Sequence, residues 1–166
     1  MIWRCVIMGV AGCGKSSVGA AWAATGDLAY FDGDDLHPPE NIAKMSAGVP
    51  LDDEDRAPWL VKVGDTLAAA EGPVAVGCSA LKRKYRDIIR ARAPGPVAFL
   101  HLAAGRDVIL ERMKVREGHF MPTTLLDSQF AALEPLEDDE IGLQIDIAQP
   151  LDKVVVECRR YYRRHL

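Results

Sequence analysis

Several kinds of segment are missing from this 166-residue sequence. Its apolar runs are short, and none approaches the roughly 20 apolar residues that a membrane-spanning helix needs. The first run, residues 2–8, stops at Gly9 and has neither the length nor the small-residue cleavage site of a secretory signal. The sequence therefore predicts a cytoplasmic protein that does not enter a membrane.

Surplus positive charge and cysteine motifs are also lacking. The formal net charge is -4 at pH 7, so no global positive field attracts nucleic acid or an anionic membrane. The four cysteines show no C-x-x-C pair and no metal-ligand spacing, which predicts reduced thiols rather than a zinc site or disulfide bonds. Any anionic ligand must therefore be bound by a local cluster of cations.

The order of the apolar segments predicts the fold class. The composition is ordinary for a globular protein, with 49% hydrophobic and 27% charged residues, and one domain over residues 1–166 is expected. Short apolar runs, typical of buried strands, lie at 3–8, 28–31, 74–78, 97–102 and 143–147. Amphipathic segments, typical of helices, lie at 15–24, 56–70, 81–92, 106–117 and 151–164. The alternation predicts an α/β fold with a sheet of five parallel strands.

The clearest motif matches G-x-x-x-x-G-K-[ST] in full and lies between a predicted strand and a predicted helix. It reads Gly9-Val10-Ala11-Gly12-Cys13-Gly14-Lys15-Ser16 and is followed by Ser17. The glycines let backbone N–H groups face phosphate oxygens, and the helix start adds its positive end. Lys15 is expected to reach the β- and γ-phosphates of ATP, and Ser16 is expected to bind Mg²⁺. We therefore predict that residues 9–17 bind the nucleotide, the alternative being a chance glycine-rich turn.

Acidic side chains follow the second predicted strand. The third predicted strand ends in Cys-Ser-Ala, residues 78–80, without a carboxylate, whereas Asp32 and Asp34 stand at the end of the second. Because an open parallel sheet collects its ligands at the carboxyl ends of its strands, these two carboxylates are predicted to flank the γ-phosphate. The alternative is a solvated acidic turn.

Arg56 stands where a cation is unfavourable. It follows the acidic run 52–55, which suits a helix start that Asp52 or Asp53 is expected to cap. Because the helix dipole disfavours a cation in the first turn, either the adjacent acids or an anionic substrate should compensate Arg56. The sequence leaves these two explanations open.

Several longer strings carry a specific resemblance. Residues 32–45 read Asp-Gly-Asp-Asp-Leu-His-Pro-Pro-Glu-Asn-Ile-Ala-Lys-Met, and residues 48–60 read Gly-Val-Pro-Leu-Asp-Asp-Glu-Asp-Arg-Ala-Pro-Trp-Leu. Further strings are Cys-Ser-Ala-Leu-Lys-Arg-Lys-Tyr-Arg-Asp at 78–87, Gly-His-Phe-Met at 118–121 and Gln-Pro-Leu at 149–151. Together they resemble the thermoresistant-type gluconate kinases over essentially the whole chain. Shikimate kinases and nucleoside monophosphate kinases are similar in architecture and share less of these strings.

The resemblance implies a reaction and a set of site residues. It implies transfer of the γ-phosphoryl group of ATP to the 6-hydroxyl of D-gluconate, with Mg²⁺, in the three-layer α/β/α fold of the nucleoside monophosphate kinases. It also suggests a homodimer. Because gluconate is a carboxylate, its site should offer cations and hydrogen-bonding groups. The candidate substrate-binding residues are Asp34, His37, Arg56, Ser79, Lys82, Arg86 and His119.

Individual roles are assigned among these candidates. Asp34 is expected to orient the attacking hydroxyl and accept its proton, while Asp32 holds Mg²⁺ through water. Lys82 and Arg86 are four residues apart and are predicted to share a helix face that converges on one ligand. The alternative for this face is exposure to solvent.

A lid is expected at about residues 113–124. Arg112 and Arg116 lie on a predicted helix that runs into Glu-Gly-His-Phe at 117–120, an arrangement that resembles the lid of adenylate kinase-like enzymes. One arginine is expected to stack on adenine and the other to contact phosphate, with Arg116 assigned to catalysis. His119 is either a substrate contact or a packing residue, and two surface arginines are the alternative for the pair.

Other functions remain as alternatives. A regulatory GTP switch is disfavoured because Asn41 is the only asparagine, so the N-K-x-D guanine-recognition motif is absent. Small size and acidic balance disfavour a nucleic-acid motor. The nearer alternative is a kinase for shikimate, a nucleoside monophosphate or another sugar acid.

Overall fold

The computed structural model describes residues 3–115 and 123–165 of the chain. Its centre is a sheet of five strands in the order β2-β3-β1-β4-β5, with every neighbouring pair parallel. The strands are β1 (Arg4–Met8), β2 (Ala29–Asp32), β3 (Val74–Gly77), β4 (Ala98–Ala103) and β5 (Gly142–Asp146). The predicted strands are confirmed, and each boundary agrees to within one residue.

Helices flank this sheet. They are α1 (Lys15–Ala23), α2 (Pro39–Ser46), α3 (Asp53–Ala69), α4 (Arg83–Arg92), α5 (Arg106–Val115), α6 (Thr123–Ala132) and α7 (Leu151–Arg164). A short 3₁₀ helix, Gly33–Leu36, follows β2 directly. Two of the helices, α2 and α6, were not predicted from the sequence. Within the described ranges, none of the helices combines the length and the apolar character needed to cross a bilayer.

The two faces of the sheet are covered by different helices. Successive side chains of a strand point to opposite faces, so β1 places Cys5 and Ile7 on one side and Val6 and Met8 on the other. The first face packs against α1 and α7, through Val18, Trp22, Val154 and Cys158. The second face packs against α3 and α4, through Leu60, Val63, Tyr85 and Ile89. The predicted three-layer α/β/α arrangement is therefore confirmed.

Helix α3 begins three residues earlier than the prediction, at Asp53. The Asp52 carboxylate accepts from the N–H of Asp55 at 2.7 Å, and the Asp55 carboxylate accepts from the N–H of Asp52 at 3.0 Å. This reciprocal capping box satisfies two backbone donors at the helix start. Of the two caps considered, Asp52 is the one used, and Arg56 consequently lies within the first turns of α3.

The topology brings the expected functional segments to one edge of the sheet. The loop 9–14 follows central strand β1, Asp32 ends β2, and Ser79 lies just beyond β3. Because all strands are parallel, these three segments meet at the carboxyl edge of the sheet.

Candidate active site

The loop between β1 and α1 has a backbone that only glycines adopt without strain. Gly9, Gly12 and Gly14 have φ angles of 145°, 79° and 97°. A Cβ on Gly9 would lie 2.7 Å from the carbonyl oxygen of Leu102, and one on Gly12 would lie 2.7 Å from Cγ of Met113. Among the described residues no side chain caps α1, whose first turn also carries no acid. The loop is therefore shaped as a cradle for an anion, as a phosphate-binding loop requires.

Lys15 and Ser16 begin α1 and make different contacts. Nζ of Lys15 donates to the carbonyl oxygens of Gly9 at 2.9 Å and Val10 at 3.1 Å. The Ser16 hydroxyl donates to Oδ2 of Asp32 at 2.9 Å. The other Asp32 oxygen accepts from the N–H of Asp34 at 3.0 Å, which caps the short 3₁₀ helix. The loop serine and the strand-end carboxylate are thus joined directly.

One cleft of about 550 Å³ runs from the loop to the region of α2 and α3. On the loop side it is lined by Ala11, Gly12, Gly14, Lys15 and Ser16. Its lining also includes Asp32, Asp34, His37, Arg56, Trp59 and Ser79. The structure therefore brings most of the predicted metal, substrate and nucleotide residues to a single cavity, which has the size of a small-molecule site.

His37 is held on the cleft wall by two neighbours. Its ring stacks on Trp59, with centroids 3.9 Å apart and an interplanar angle of 17°. Its Nδ1 lies 3.2 Å from Nδ2 of Asn41, and Nε1 of Trp59 donates to the carbonyl oxygen of Gly33 at 2.7 Å. Burial, together with the positive charge of Arg56, lowers the pKa of His37 to about 4. The ring is therefore neutral at physiological pH.

Arg56 projects into the cleft from α3. Its Nη1 donates to the carbonyl oxygen of Leu51 at 2.5 Å and to the Tyr85 hydroxyl at 3.2 Å, and its guanidinium lies 5.3 Å from the Tyr85 ring centre. Among residues 3–115 and 123–165, no carboxylate forms an ion pair with Arg56. Of the two explanations considered for this cation, compensation by the adjacent acids therefore receives no support.

The acids next to Arg56 have other partners. Asp53 accepts a hydrogen bond from the Tyr85 hydroxyl at 2.5 Å and forms an ion pair with Lys84. The hydrogen bond from Lys84, and to a smaller extent the one from Tyr85, lowers the pKa of Asp53 to about 2. Asp55 pairs with Lys44 at 2.7 Å. These contacts leave the Arg56 guanidinium available to an anion in the cleft.

Arg86 was predicted to bind substrate, and that prediction was wrong. Its side chain is fully buried, and its Nε lies 2.7 Å from Oε2 of Glu140. Its Nη1 also donates to the carbonyl oxygen of Ala80 at 2.9 Å. With these partners Arg86 is a structural residue of the core, and it is not among the cleft-lining residues that the structure describes.

The predicted helix face shared by Lys82 and Arg86 does not exist either. Helix α4 begins at Arg83, so Lys82 is its N-cap residue and has extended backbone angles. The Lys82 ammonium lies 5.8 Å from the centre of the Tyr85 ring, and the same ring contacts Arg56. Ser79 does line the cleft, and its carbonyl oxygen accepts from the N–H of Gly9 at 3.2 Å.

A second cleft, of about 200 Å³, lies behind the phosphate-binding loop. It is lined by Gly12, Cys13, Gly14, Ser17, Val18, Arg112, Ile147, Leu151 and Val154. Arg112 donates here to the carbonyl oxygens of Ile147 and Gln149. The aliphatic walls of this second cleft and the adjacent guanidinium of Arg112 suit the flat ring of a nucleotide base.

Two predicted site residues, Arg116 and His119, lie outside the described residues, as does most of the predicted lid at 113–124. The structure also shows three residues of this region that were not predicted from the sequence: Asn41, Tyr85 and Gln129. Gln129, on α6, accepts from the N–H of Ala11 at 2.7 Å and lines the main cleft. Tyr85 and Asn41 lie inside the strings that carry the family resemblance, which is the signal that pointed to their region.

Several known proteins are similar to this chain in sequence and in fold. No protein-family model matches the sequence. The thermosensitive gluconokinase of Escherichia coli (strain K12) is 46% identical over 159 residues, covering 93% of this chain and 84% of that protein. The crystal structure of a gluconokinase from Sinorhizobium meliloti 1021 is 49% identical, with a TM-score of 0.90 over 98% of this chain and 92% of that one.

More distant structures share the fold alone. The APS kinase of Mycobacterium tuberculosis has a TM-score of 0.68 at 18% identity, over 98% of each chain. The fold is thus that of the phosphate-loop kinases, as expected. Since a curated gluconokinase is 46% identical across 93% of the chain, the resemblance seen in the sequence is confirmed and this protein belongs to the gluconokinase family.

Proposed function

We propose that this protein transfers the γ-phosphoryl group of ATP to the 6-hydroxyl of D-gluconate, giving 6-phospho-D-gluconate and ADP. The observation that carries the proposal is the single cleft of about 550 Å³ that joins the phosphate-binding loop to Asp34, His37 and Arg56. Phosphoryl transfer needs the two substrates in line and shielded from water, and one cavity with a phosphate end and an acceptor end provides that arrangement.

The nucleotide end fits ATP and Mg²⁺. The glycine cradle, the first turn of α1 and Lys15 together supply donors to phosphate oxygens. Ser16 and Asp32 offer a hydroxyl and a carboxylate in direct contact, which are the hard oxygen ligands that Mg²⁺ prefers. A bound Mg²⁺ would neutralise charge on the phosphates as the phosphoryl group moves. The smaller cleft beside Arg112 is proposed to take the adenine base.

The acceptor end fits a sugar acid. Arg56 has no carboxylate partner within residues 3–115 and 123–165 and is proposed to bind the gluconate carboxylate, whose geometry suits a guanidinium well. His37 and Ser79 line the same cleft and are proposed to contact hydroxyl groups. Asp34, which also lines the cleft, is proposed to orient the attacking 6-hydroxyl and to accept its proton.

The proposal is tested by measuring ADP release from Mg-ATP with purified protein, in parallel with D-gluconate, shikimate, AMP and a panel of related sugar acids. We expect gluconate alone to raise turnover far above background hydrolysis, and mass spectrometry with phosphorus NMR should place the phosphate on O6. The Lys15→Ala variant is the matched negative control, because it keeps the cleft and removes the phosphate-binding cation. Turnover with another acceptor and none with gluconate would reject the substrate while keeping the kinase activity.

A further inference from the structure

Asn41 is a buried amide on α2 that connects two parts of the acceptor end. Only 2% of the residue is exposed. Its Nδ2 donates to the carbonyl oxygen of Asp55 at 2.9 Å, in the first turn of α3 and next to Arg56. The same Nδ2 lies 3.2 Å from Nδ1 of His37. One side chain therefore contacts both the histidine of the cleft wall and the helix that carries the cleft arginine.

These two contacts determine which ring nitrogen of His37 carries the proton. A backbone carbonyl oxygen only accepts hydrogen bonds, so the Asn41 atom facing Asp55 must be the amide nitrogen. That NH₂ group also faces Nδ1 of His37, which must then be the acceptor. In a neutral imidazole the proton consequently lies on Nε2. The nitrogen that remains for a ligand in the cleft is an N–H donor.

We propose that Asn41 is a positioning residue that fixes His37 as the Nε2–H tautomer and connects it to the start of α3. His37 then donates a hydrogen bond from Nε2 to a hydroxyl group of the substrate that receives the phosphoryl group. The identification of that hydroxyl as one of gluconate rests on the proposed function. The tautomer and the role of Asn41 rest on the contacts alone.

The surroundings of His37 support a fixed donor rather than a proton acceptor. The ring stacks on Trp59, whose indole N–H is tied to the carbonyl oxygen of Gly33, between Asp32 and Asp34. Burial and the charge of Arg56 keep the ring neutral, which agrees with the single proton that the hydrogen bonds require. His37 then cannot take the proton of the 6-hydroxyl through Nε2, and that task falls to the carboxylate of Asp34.

The tautomer is tested directly by NMR. Protein labelled with ¹⁵N-histidine gives long-range ¹H–¹⁵N correlations that distinguish the two neutral tautomers and the imidazolium. The chain has four histidines, so a His37→Gln variant assigns the His37 ring signals. We expect a protonated Nε2 and an unprotonated Nδ1 at pH 7.5. A protonated Nδ1 in the wild-type protein would overturn the proposal.

The role of Asn41 is tested with an isosteric change. In Asn41→Asp the amide donor becomes an acceptor, so His37 should change to the Nδ1–H tautomer or become an imidazolium. We expect the KM for gluconate to rise about two- to tenfold, the usual effect of losing one hydrogen bond, while the KM for ATP stays within about twofold. The control is Gln144→Glu on β5, which makes the same change of amide to carboxylate at an exposed position.

The outcomes separate this inference from the proposed function. If the wild-type protein does not phosphorylate gluconate, the proposed function fails, while the ring spectra still decide the tautomer. Circular dichroism shows whether Asn41→Asp folds. If it does not, the test rests on the wild-type ring spectrum and on an Asn41→Ala variant, in which we expect a mixture of the two His37 tautomers. An unchanged ring spectrum in a folded variant, or an equal rise in both KM values, would overturn the positioning role.

Discussion

Arg86 and Glu140 form a fully buried ion pair with two direct contacts, Nε to Oε2 at 2.7 Å and Nη2 to Oε1 at 2.8 Å. The pair joins α4 to the segment that leads into β5. Arg90 also contacts Glu140, and Arg86 satisfies the carbonyl oxygens of Ala80 and Glu134. A buried charge is stable only when an opposite charge compensates it. Removing either Arg86 or Glu140 should therefore destabilise the folded protein.

Neutralising Glu140 should strongly destabilise the protein. Glu140→Gln leaves the Arg86 charge buried without a countercharge, which costs about 3–5 kcal/mol in comparable cases. Urea unfolding followed by circular dichroism measures the free energy of unfolding. The control is Asp65→Asn, which breaks the exposed pair with Arg92 and should change that free energy little. Comparable losses in the two variants would contradict a special role for the buried pair.

The stability of the folded protein should fall between pH 6.5 and pH 4 because of His37. Burial and the nearby Arg56 hold the pKa of His37 at about 4, whereas an unfolded histidine titrates near pH 6.5. Across this window the unfolded chain takes up a proton that the folded chain does not, so the free energy of unfolding decreases as the pH falls.

Unfolding curves of the wild-type protein and His37→Gln over pH 4 to 7.5 measure this effect. The difference in stability between the two proteins should depend on pH within the window and level off above pH 6.5. His101 is also buried, and its pKa is likewise lowered by burial, so His37→Gln should remove only part of the wild-type slope. Parallel curves for the two proteins would show that His37 titrates as an ordinary exposed histidine.

Replacing Arg56 by alanine should weaken gluconate binding selectively. The guanidinium faces the cleft without a carboxylate partner among the described residues, so its loss removes the charge proposed to bind the gluconate carboxylate. We expect the KM for gluconate to rise about tenfold to a hundredfold and the KM for ATP to change far less. Steady-state kinetics with each substrate varied in turn measure both constants. The control is Arg92→Ala at the exposed end of α4. Equal changes in both KM values would assign Arg56 to folding instead.

Asp32→Asn should raise the Mg²⁺ concentration needed for half-maximal activity. The carboxylate is in contact with the Ser16 hydroxyl, and removing its charge weakens the pair of oxygen ligands proposed for the ion. Activity titrated with Mg²⁺ at fixed ATP gives the midpoint, which should rise severalfold in Asp32→Asn and in Ser16→Ala. Asp138→Asn, at an exposed loop position, is the control. A midpoint unchanged in both site variants would place the metal elsewhere.

Local patterns in the sequence were sufficient for the sheet and the phosphate-binding loop. The strands lie in short segments rich in apolar residues, and the loop is a contiguous motif, so neighbouring residues carry most of the signal. Helix α2 was not predicted; it begins at Pro39, and proline is well accommodated at the first position of a helix.

Side chains that depend on distant partners could not be placed from local patterns. The spacing of Lys82 and Arg86 suggested a shared face, but the partner of Arg86, Glu140, lies 54 residues further along the chain. Asn41 gave no chemical signal of its own, since its importance comes from the fold placing one amide between His37 and Asp55. Family resemblance identified the region, and only the three-dimensional contacts distinguished cleft residues from core residues.

Asp34→Asn should reduce kcat more than it changes either KM. The side chain lines the cleft, where it is proposed to orient the 6-hydroxyl and accept its proton. Removing a general base typically lowers the rate about a hundredfold or more, whereas an amide keeps the size of the side chain and some of its hydrogen bonding.

The neighbouring Asp35→Asn is the matched control, because Asp35 is exposed and is not among the described cleft-lining residues. If kcat were to fall by less than about threefold in Asp34→Asn, the transition state would need no proton acceptor at this position, as a loose metaphosphate-like state allows. Positioning by Lys15, Arg56 and His37 would then account for catalysis without Asp34.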